Sequence, residues 1–416
     1  PVRVVRRNCF ATRIAAATLA VFAGAARGED ADSPFGIAES LAQGRFTLEL
    51  RPRFNRIEES NYPERTQVGT VRAIAGWRSA PFHDWRLTLE GIHTDHFGSG
   101  SYNDNGALLA TSPFPLLPDP RYTGVNQAHV EYSGVEGLRL RMGRQVVRMD
   151  NQRWVSDNDF RQIPQLFDGV SAAYTGIAAT ELSAGQYWRV RSTSGVVSPL
   201  KLSILRAAWN PLPGHALSTY GYFHDQAANG AFTGFADNSY RAIGVKAEGS
   251  AASFANVEIP YIAEYAQQRR YADGDSRIDA NYRRAGAGLA TTDWTLRYDY
   301  EVKGSNAGVY GLQMPLTDFY AFNGWTLHFY NTPRQGLRDQ WLTGRAVAAN
   351  ATLYAEAHRF RSDFGGIGLG RELDLSIAYP LMENGVLRLQ HARYDPGAGT
   401  PDPRIRKTWL TFALTY

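Results

Sequence analysis

In 416 residues, 44 basic side chains stand against 40 acidic ones, but Arg3, Arg6, Arg7, Arg13 and Arg27 fall in or beside an N-terminal leader. Removing those five leaves 39 against 40, so the basic composition gives no ground for a nucleic-acid partner. The single cysteine, Cys9, lies in the same leader with no lipobox before it, so a mature chain freed of that leader is expected to carry no thiol, disulfide or lipid anchor.

Residues 1–25 read as a secretory signal peptide: a basic start, a short apolar run from Ile14 to Ala23, and small residues at Ala23-Gly24-Ala25. A lead-in is expected over 26–45 and one domain over 46–416. Past the leader no apolar run approaches the ~20 residues of a membrane helix. What replaces it is alternation. Phe46, Leu48 and Leu50 oppose Glu49 and Arg51; Trp85, Leu87 and Leu89 oppose Arg86, Thr88 and Glu90; Ala128, Val130 and Tyr132 oppose Gln127, His129 and Glu131. Leu138, Leu140 and Met142 oppose Arg139 and Arg141, and in 294–302 Trp294, Leu296, Tyr298, Tyr300 and Val302 oppose Thr295, Arg297, Asp299 and Glu301. Leu373, Leu375, Ile377 and Tyr379 oppose Glu372, Asp374 and Ser376. Period two with one apolar and one charged face is what lipid outside and water inside produce.

This alternation places eighteen strands, at 46–54, 67–79, 85–97, 125–133, 138–145, 167–174, 180–189, 201–210, 215–223, 238–248, 256–267, 280–290, 294–302, 336–346, 351–361, 370–379, 385–394 and 406–416. Short connections alternate with long ones at 98–124, 146–166, 224–237 and 303–335, as periplasmic turns and extracellular loops do. The fold class is therefore all-β, a transmembrane antiparallel barrel of about 18 strands in a Gram-negative outer membrane. Outer-membrane lipid and lipopolysaccharide are its expected surroundings. The last segment puts Leu410, Phe412, Leu414 and Tyr416 on one face and ends on an aromatic residue, which resembles the signal read by the barrel-assembly machinery.

The stretch 143–169 sets Arg144, Arg148, Arg153 and Arg161 among Asp150, Asp157, Asp159 and Asp168, with Trp154 and Phe160 between them. A segment this charged is cheap in a water-filled pore, so 146–166 is expected to fold into the lumen. Only four residues, Lys201, Lys246, Lys303 and Lys407, are lysines, and arginine grips carboxylates bidentately where lysine offers a point charge.

Two sets of residues carry a family resemblance. The first is Gly143-Arg144-Gln145, Arg153-Trp154, Arg161 and Phe167-Asp168-Gly169; the second is Pro315-Leu316, Asp318-Phe319-Tyr320, Asn323-Gly324-Trp325, Thr332-Pro333, Gly336-Leu337 and Asp339. On these the chain resembles the alginate export family, with Phe160 standing where that family commonly has tryptophan. The resemblance implies an eighteen-stranded barrel whose electropositive constriction passes a polyuronate. Carboxylates entering a narrow pore lose water, and guanidinium groups replace it, while interleaved acids weaken each grip so that the solute moves on.

The candidate pore residues are Arg144, Arg153 and Arg161, together with Asp157, Asp159 and Asp168, which either share the passage or tie the loop to the wall. Parity adds Arg139, Arg141, Arg297, Asp299 and Glu301 to the lumen. It also leaves Arg144 facing outward unless it stands at the rim, which is the reading preferred here. Asp299 and Glu301 on one strand face do not make a glycosidase pair. Asp273, Asp275 and Asp279 lack the glycine and closing glutamate of a calcium loop, and His215 and His224 show no metal spacing, so no catalytic residue, metal site or cofactor is expected. The function expected is export of an anionic polysaccharide or oligosaccharide. The alternatives are an uptake porin for small anionic or sugar-like nutrients and, last, an outer-membrane enzyme.

Overall fold

The computed structural model describes residues 36–104, 112–226, 237–252 and 256–416, so the expected signal segment and the first part of the lead-in lie outside the described residues. The rest of the lead-in forms α1 (Ile37–Ala42), tied to the first short turn where the Ser40 hydroxyl donates to the Ala80 carbonyl at 2.6 Å.

The strands are β1 (Arg45–Glu59), β2 (Thr66–Arg78), β3 (Trp85–Ser101), β4 (Tyr122–Tyr132), β5 (Leu138–Gln145), β6 (Leu166–Tyr174), β7 (Thr180–Arg191), β8 (Val197–Leu212), β9 (His215–Asp225) and β10 (Tyr240–Ala252). They continue with β11 (Glu258–Arg270), β12 (Asp279–Ala290), β13 (Trp294–Lys303), the short β14 (Ser305–Asn306) and β15 (Tyr310–Gly311), then β16 (Leu337–Ala348), β17 (Ala351–Arg361), β18 (Gly368–Met382), β19 (Gly385–Pro396) and β20 (Ile405–Thr415). All but β14 and β15 join one antiparallel 18-stranded sheet in chain order, and β1 pairs with β20 from Glu49↔Thr415 to Glu59↔Ile405, closing it. Closure leaves no edge strand, which is what lets a sheet stand in lipid.

All eighteen expected strands are present. Their ends run further than the alternation did: β1 continues to Glu59 rather than 54 and β8 starts at Val197 rather than 201. Beyond the apolar band both faces are wet, so hydrogen bonding goes on after the sequence stops alternating. The short turns show local cause too. Ala349 and Asn350, between β16 and β17, both take positive φ (47° and 65°), the two-residue turn whose twist matches its strands.

The wall faces agree with parity. Leu296, Tyr298, Leu373, Leu375 and Ile377 lie exposed on the outside, while Asp299, Glu301, Glu372 and Asp374 are buried within. Alternation did not announce the second half of the interior. Strands β7 to β12 also turn Tyr187, Tyr220, Tyr222, Tyr240 and Tyr282 inward, where they join Trp154, Val155, Leu312 and Met314 in a packed cluster. These tyrosines seat two inward-folded segments, 146–165 and 304–336.

Candidate channel interior

The 146–165 segment leaves and rejoins the wall through a clasp between β5 and β6. Gly143 and Gly169 are register partners; Gly143 has φ +127°, and a Cβ there would meet the Ala128 carbonyl oxygen at 2.3 Å. Next to them, the Arg144 guanidinium donates to both oxygens of Asp168 at 2.7 and 2.9 Å, and the Gln145 amide donates to the Gly169 carbonyl. Gly143, Arg144, Gln145, Asp168 and Gly169 of the first motif are thus accounted for by the pairing of β5 with β6.

Between its ends the segment lies across the lumen. The Trp154 indole N–H donates to Tyr220 Oη at 3.0 Å and Glu264 Oε1 at 3.1 Å, and its ring stacks on Tyr222. Arg153 is fully buried; it donates to Glu301 Oε2 at 2.5 Å, to Asn323 Oδ1 at 2.9 Å and to Thr317 Oγ1 at 3.3 Å, with its guanidinium over the Phe322 ring. Asp150 takes Arg206 at 2.6 Å and Lys246 at 3.3 Å, and Asp157 takes Arg148 at 2.5 Å. Asp159 meets Arg72 at 2.8 Å, while Arg51 and Arg53 donate to the carbonyls of Asp159 and Phe160 at 2.7 and 2.8 Å. Burial by itself raises the Asp159 carboxyl, but Arg72, Arg51 and Arg148 outweigh it and hold it well below the usual carboxylate range.

The 304–336 segment closes over the first. Ser156 N–H donates to the Leu316 carbonyl, Asp318 N–H to Gln152, and Asn158 Nδ2 to Thr317 at 2.6 Å; the Phe160 ring stacks on Tyr320, edge-on to Trp409. Asp318 accepts the N–H groups of Tyr320 and Ala321, yet burial pushes its carboxyl up to about 6. Asn323 links the two motifs: its Oδ1 accepts from Arg153 at 2.9 Å, while its Nδ2 donates to Glu301 and, at 3.0 Å, to Asp339.

On the short-turn side of this inner layer the lumen opens into a cavity of about 1400 Å3. Its wall carries Arg78, Arg86, Arg139 and Arg141 around Glu131, which takes Arg78 at 3.2 Å and Arg141 at 2.7 Å. Arg86 is the register partner of Glu131 and forms no ion pair among the described residues. The adjacent Glu90 is held by the amides of Asn126 and Gln127, and Glu181 by Arg206. Across the cavity Asp299 holds both Arg284 and Arg297.

Several candidates therefore sit elsewhere than expected. Arg144 and Asp168 share the face that β5 and β6 turn away from the lumen, as do the exposed Met142 and Val170, so the rim reading of Arg144 as a pore residue is corrected by the clasp. Arg153, Asp157 and Glu301 lie inside the packing rather than along the cavity. Arg161 lends its carbonyl to Arg51 and Arg72, and its guanidinium does not line the cavity. Arg139, Arg141, Arg297 and Asp299 do line it. Arg78 was missed, although β2 turns Arg72 and Arg78 to the same side; the signal was there in the parity of that strand.

A family model described as alginate export matches residues 49–306. The chain belongs to the alginate export family. No curated protein matches it by sequence. Among solved structures, Pseudomonas aeruginosa OpdK, solved with vanillate, is 16% identical with a TM-score of 0.68 over 90% of this chain and 99% of that one. Acinetobacter baumannii OccAB2 is 14% identical with a TM-score of 0.69, over 91% of this chain and 98% of that one. P. aeruginosa OpdL is 14% identical at 0.67, over 90% and 99%. These likenesses bear on the fold. This member of the alginate export family is an outer-membrane β-barrel channel, with Arg153 and Trp154 within the layer across its lumen.

Proposed function

We propose that the channel passes an anionic saccharide, a polyuronate of the alginate kind, outward across the outer membrane. The observation that carries this is the cluster of Arg78, Arg86, Arg139 and Arg141 around one carboxylate in the cavity on the short-turn side, where a polymer leaving the periplasm enters. Planar guanidinium forks replace the water that uronate carboxylates lose on entry, and Glu131 and Asp299 keep the hold weak enough for release. Lipid and lipopolysaccharide would cover the outer face, and the barrel-assembly machinery would engage β20.

A second reading, uptake of small carboxylates, draws on the inner layer, which narrows the route, and on the likeness to OpdK, solved with vanillate. Single-channel recording separates the two. Under the export reading, oligouronates added on the short-turn side block the current more strongly with increasing length, and Arg86→Gln with Arg139→Gln weakens that block. Block by small aromatic carboxylates with no response to oligouronates would instead establish uptake. Turnover of a lipid or glycan by the purified protein would point to an enzyme.

A further inference from the structure

A side-chain group outside the arginine cavity carries its own chemistry. Glu356 and His358 project inward from β17, and Asp374, the register partner of Glu356, projects from β18. The His358 ring is stacked between Trp341 and Phe360, and its Nδ1 is 3.0 Å from Asp339 Oδ1. That leaves Nε2 buried without a hydrogen-bond partner, 3.5 Å from Glu356 Oε2 and 3.8 Å from Asp374 Oδ2; Asp374 Oδ1 is likewise buried and unpartnered. These separations are too long for hydrogen bonds of about 2.7–3.2 Å. They are close to the roughly 3.3–3.6 Å between neighbouring ligands that each stand about 2.0–2.2 Å from a tetrahedral zinc.

Charge points the same way. Asp339, Glu356, Glu372 and Asp374 lie together, and the donors to them are neutral: Asn323 to Asp339, Thr343 and Tyr354 to Glu356, the Trp325 N–H to Asp374, and Thr326 to Glu372. Among the described residues their ion-pair contacts run to His358 alone. Buried charges in such number are normally neutralised by a partner or a metal.

We propose that Glu356, His358 and Asp374 form a binding site for a divalent transition cation of the zinc class, with Asp339 fixing the imidazole tautomer as the positioning residue. An imidazole nitrogen with two carboxylates favours such an ion over calcium or magnesium, which take oxygen ligands. Asp339 behind the ring is the usual support of a metal-bound histidine. Glu356 lines the arginine cavity, which gives the ion its entry path. The bound ion would join β17 to β18 and, through the Trp325 and Thr326 amides on Asp374 and Glu372, hold the 304–336 segment across the lumen.

The test uses the purified full chain in detergent, dialysed against a chelator and then equilibrated with zinc, with metal per chain read by mass spectrometry. One zinc per chain is expected, with affinity at least tenfold lower in His358→Gln and Glu356→Gln and about 10–100-fold lower in Asp339→Asn. No retained zinc, or equal retention by His358→Gln, overturns the proposal and leaves an imidazolium caged by carboxylates. Should the variants fail to migrate as folded barrels, X-ray absorption of the zinc-loaded native chain decides: one imidazole with carboxylate oxygens supports the site, and two or more imidazoles overturn it.

Discussion

Within the inner layer, Arg51, Arg53 and Arg72 donate to carbonyls and a carboxylate of the 146–165 segment and Arg153, from that segment, donates to Glu301 on β13, whereas in the cavity Arg78 and Arg141 share Glu131 and Arg86 forms no ion pair among the described residues. The residue type is the same and the circumstances differ. A guanidinium has five N–H groups in a fixed fork, and what it can do for a solute depends on how many of them the fold has already used. In the layer most of them are used, so these arginines hold shape. In the cavity Arg78 and Arg141 divide one carboxylate and Arg86 forms no ion pair among the described residues, so the arginines there make a field.

The strongest way to break this contrast is to remove a buried, ion-paired arginine. Arg153→Gln leaves Glu301 buried without its cation, which costs about 3–5 kcal/mol. The expected result is release of the 146–165 segment, faster cleavage there by added protease, and a higher unitary conductance with the barrel still folded. Unchanged conductance would mean that this segment does not narrow the passage. Trp154→Phe is milder: it keeps the ring among Tyr220, Tyr222 and Tyr282 but withdraws a donor from Glu264, at about 1–3 kcal/mol, and the same protease assay should show a smaller change in the same direction.

The cavity arginines should respond in the opposite sense. Replacing Arg78, Arg86, Arg139 and Arg141 with glutamine should leave protease resistance as it was and shift the reversal potential under a salt gradient toward weaker anion preference, since lumen substitutions tune selectivity. If the glutamine variant of Arg144 moved the reversal potential as much, the clasp with Asp168 would not be its main role.

The smallest effect expected is on pH. Burial raises the Asp318 carboxyl to about 6 in the closed layer, above its value in the open, solvated segment. A raised carboxyl favours the closed form fully below the open-state value of about 4 and loses that contribution as pH rises through about 6. Conductance should therefore creep upward between about pH 4 and 6, and Asp318→Asn should flatten the profile. A steeper dependence in the variant would place the titrating group elsewhere.

Much of the wall was legible. The run Trp294 to Val302 alternates without exception, and β13 turns Trp294, Leu296 and Tyr298 outward and Asp299 and Glu301 inward as that pattern requires. The inner tyrosines were not legible, because a tyrosine facing a packed inner layer and a tyrosine facing lipid satisfy the same period. Arg144 shows the converse. Strand parity set it outward and the motif drew attention to it as a pore residue; the geometry gives it to Asp168, its direct neighbour across β5 and β6.

The sequence by itself determined the number of strands, the face each presents and the alternation of short turns with long connections, because period two and turn chemistry are local properties of the chain. Only the tertiary structure decided which charges are spent and which remain available. Arg153 and Glu301 are 148 residues apart, and Gln162 meets Arg51 from 111 residues away. Such pairs exist only once the sheet has closed and two long connections have folded back inside it, and nothing in the local pattern records that step.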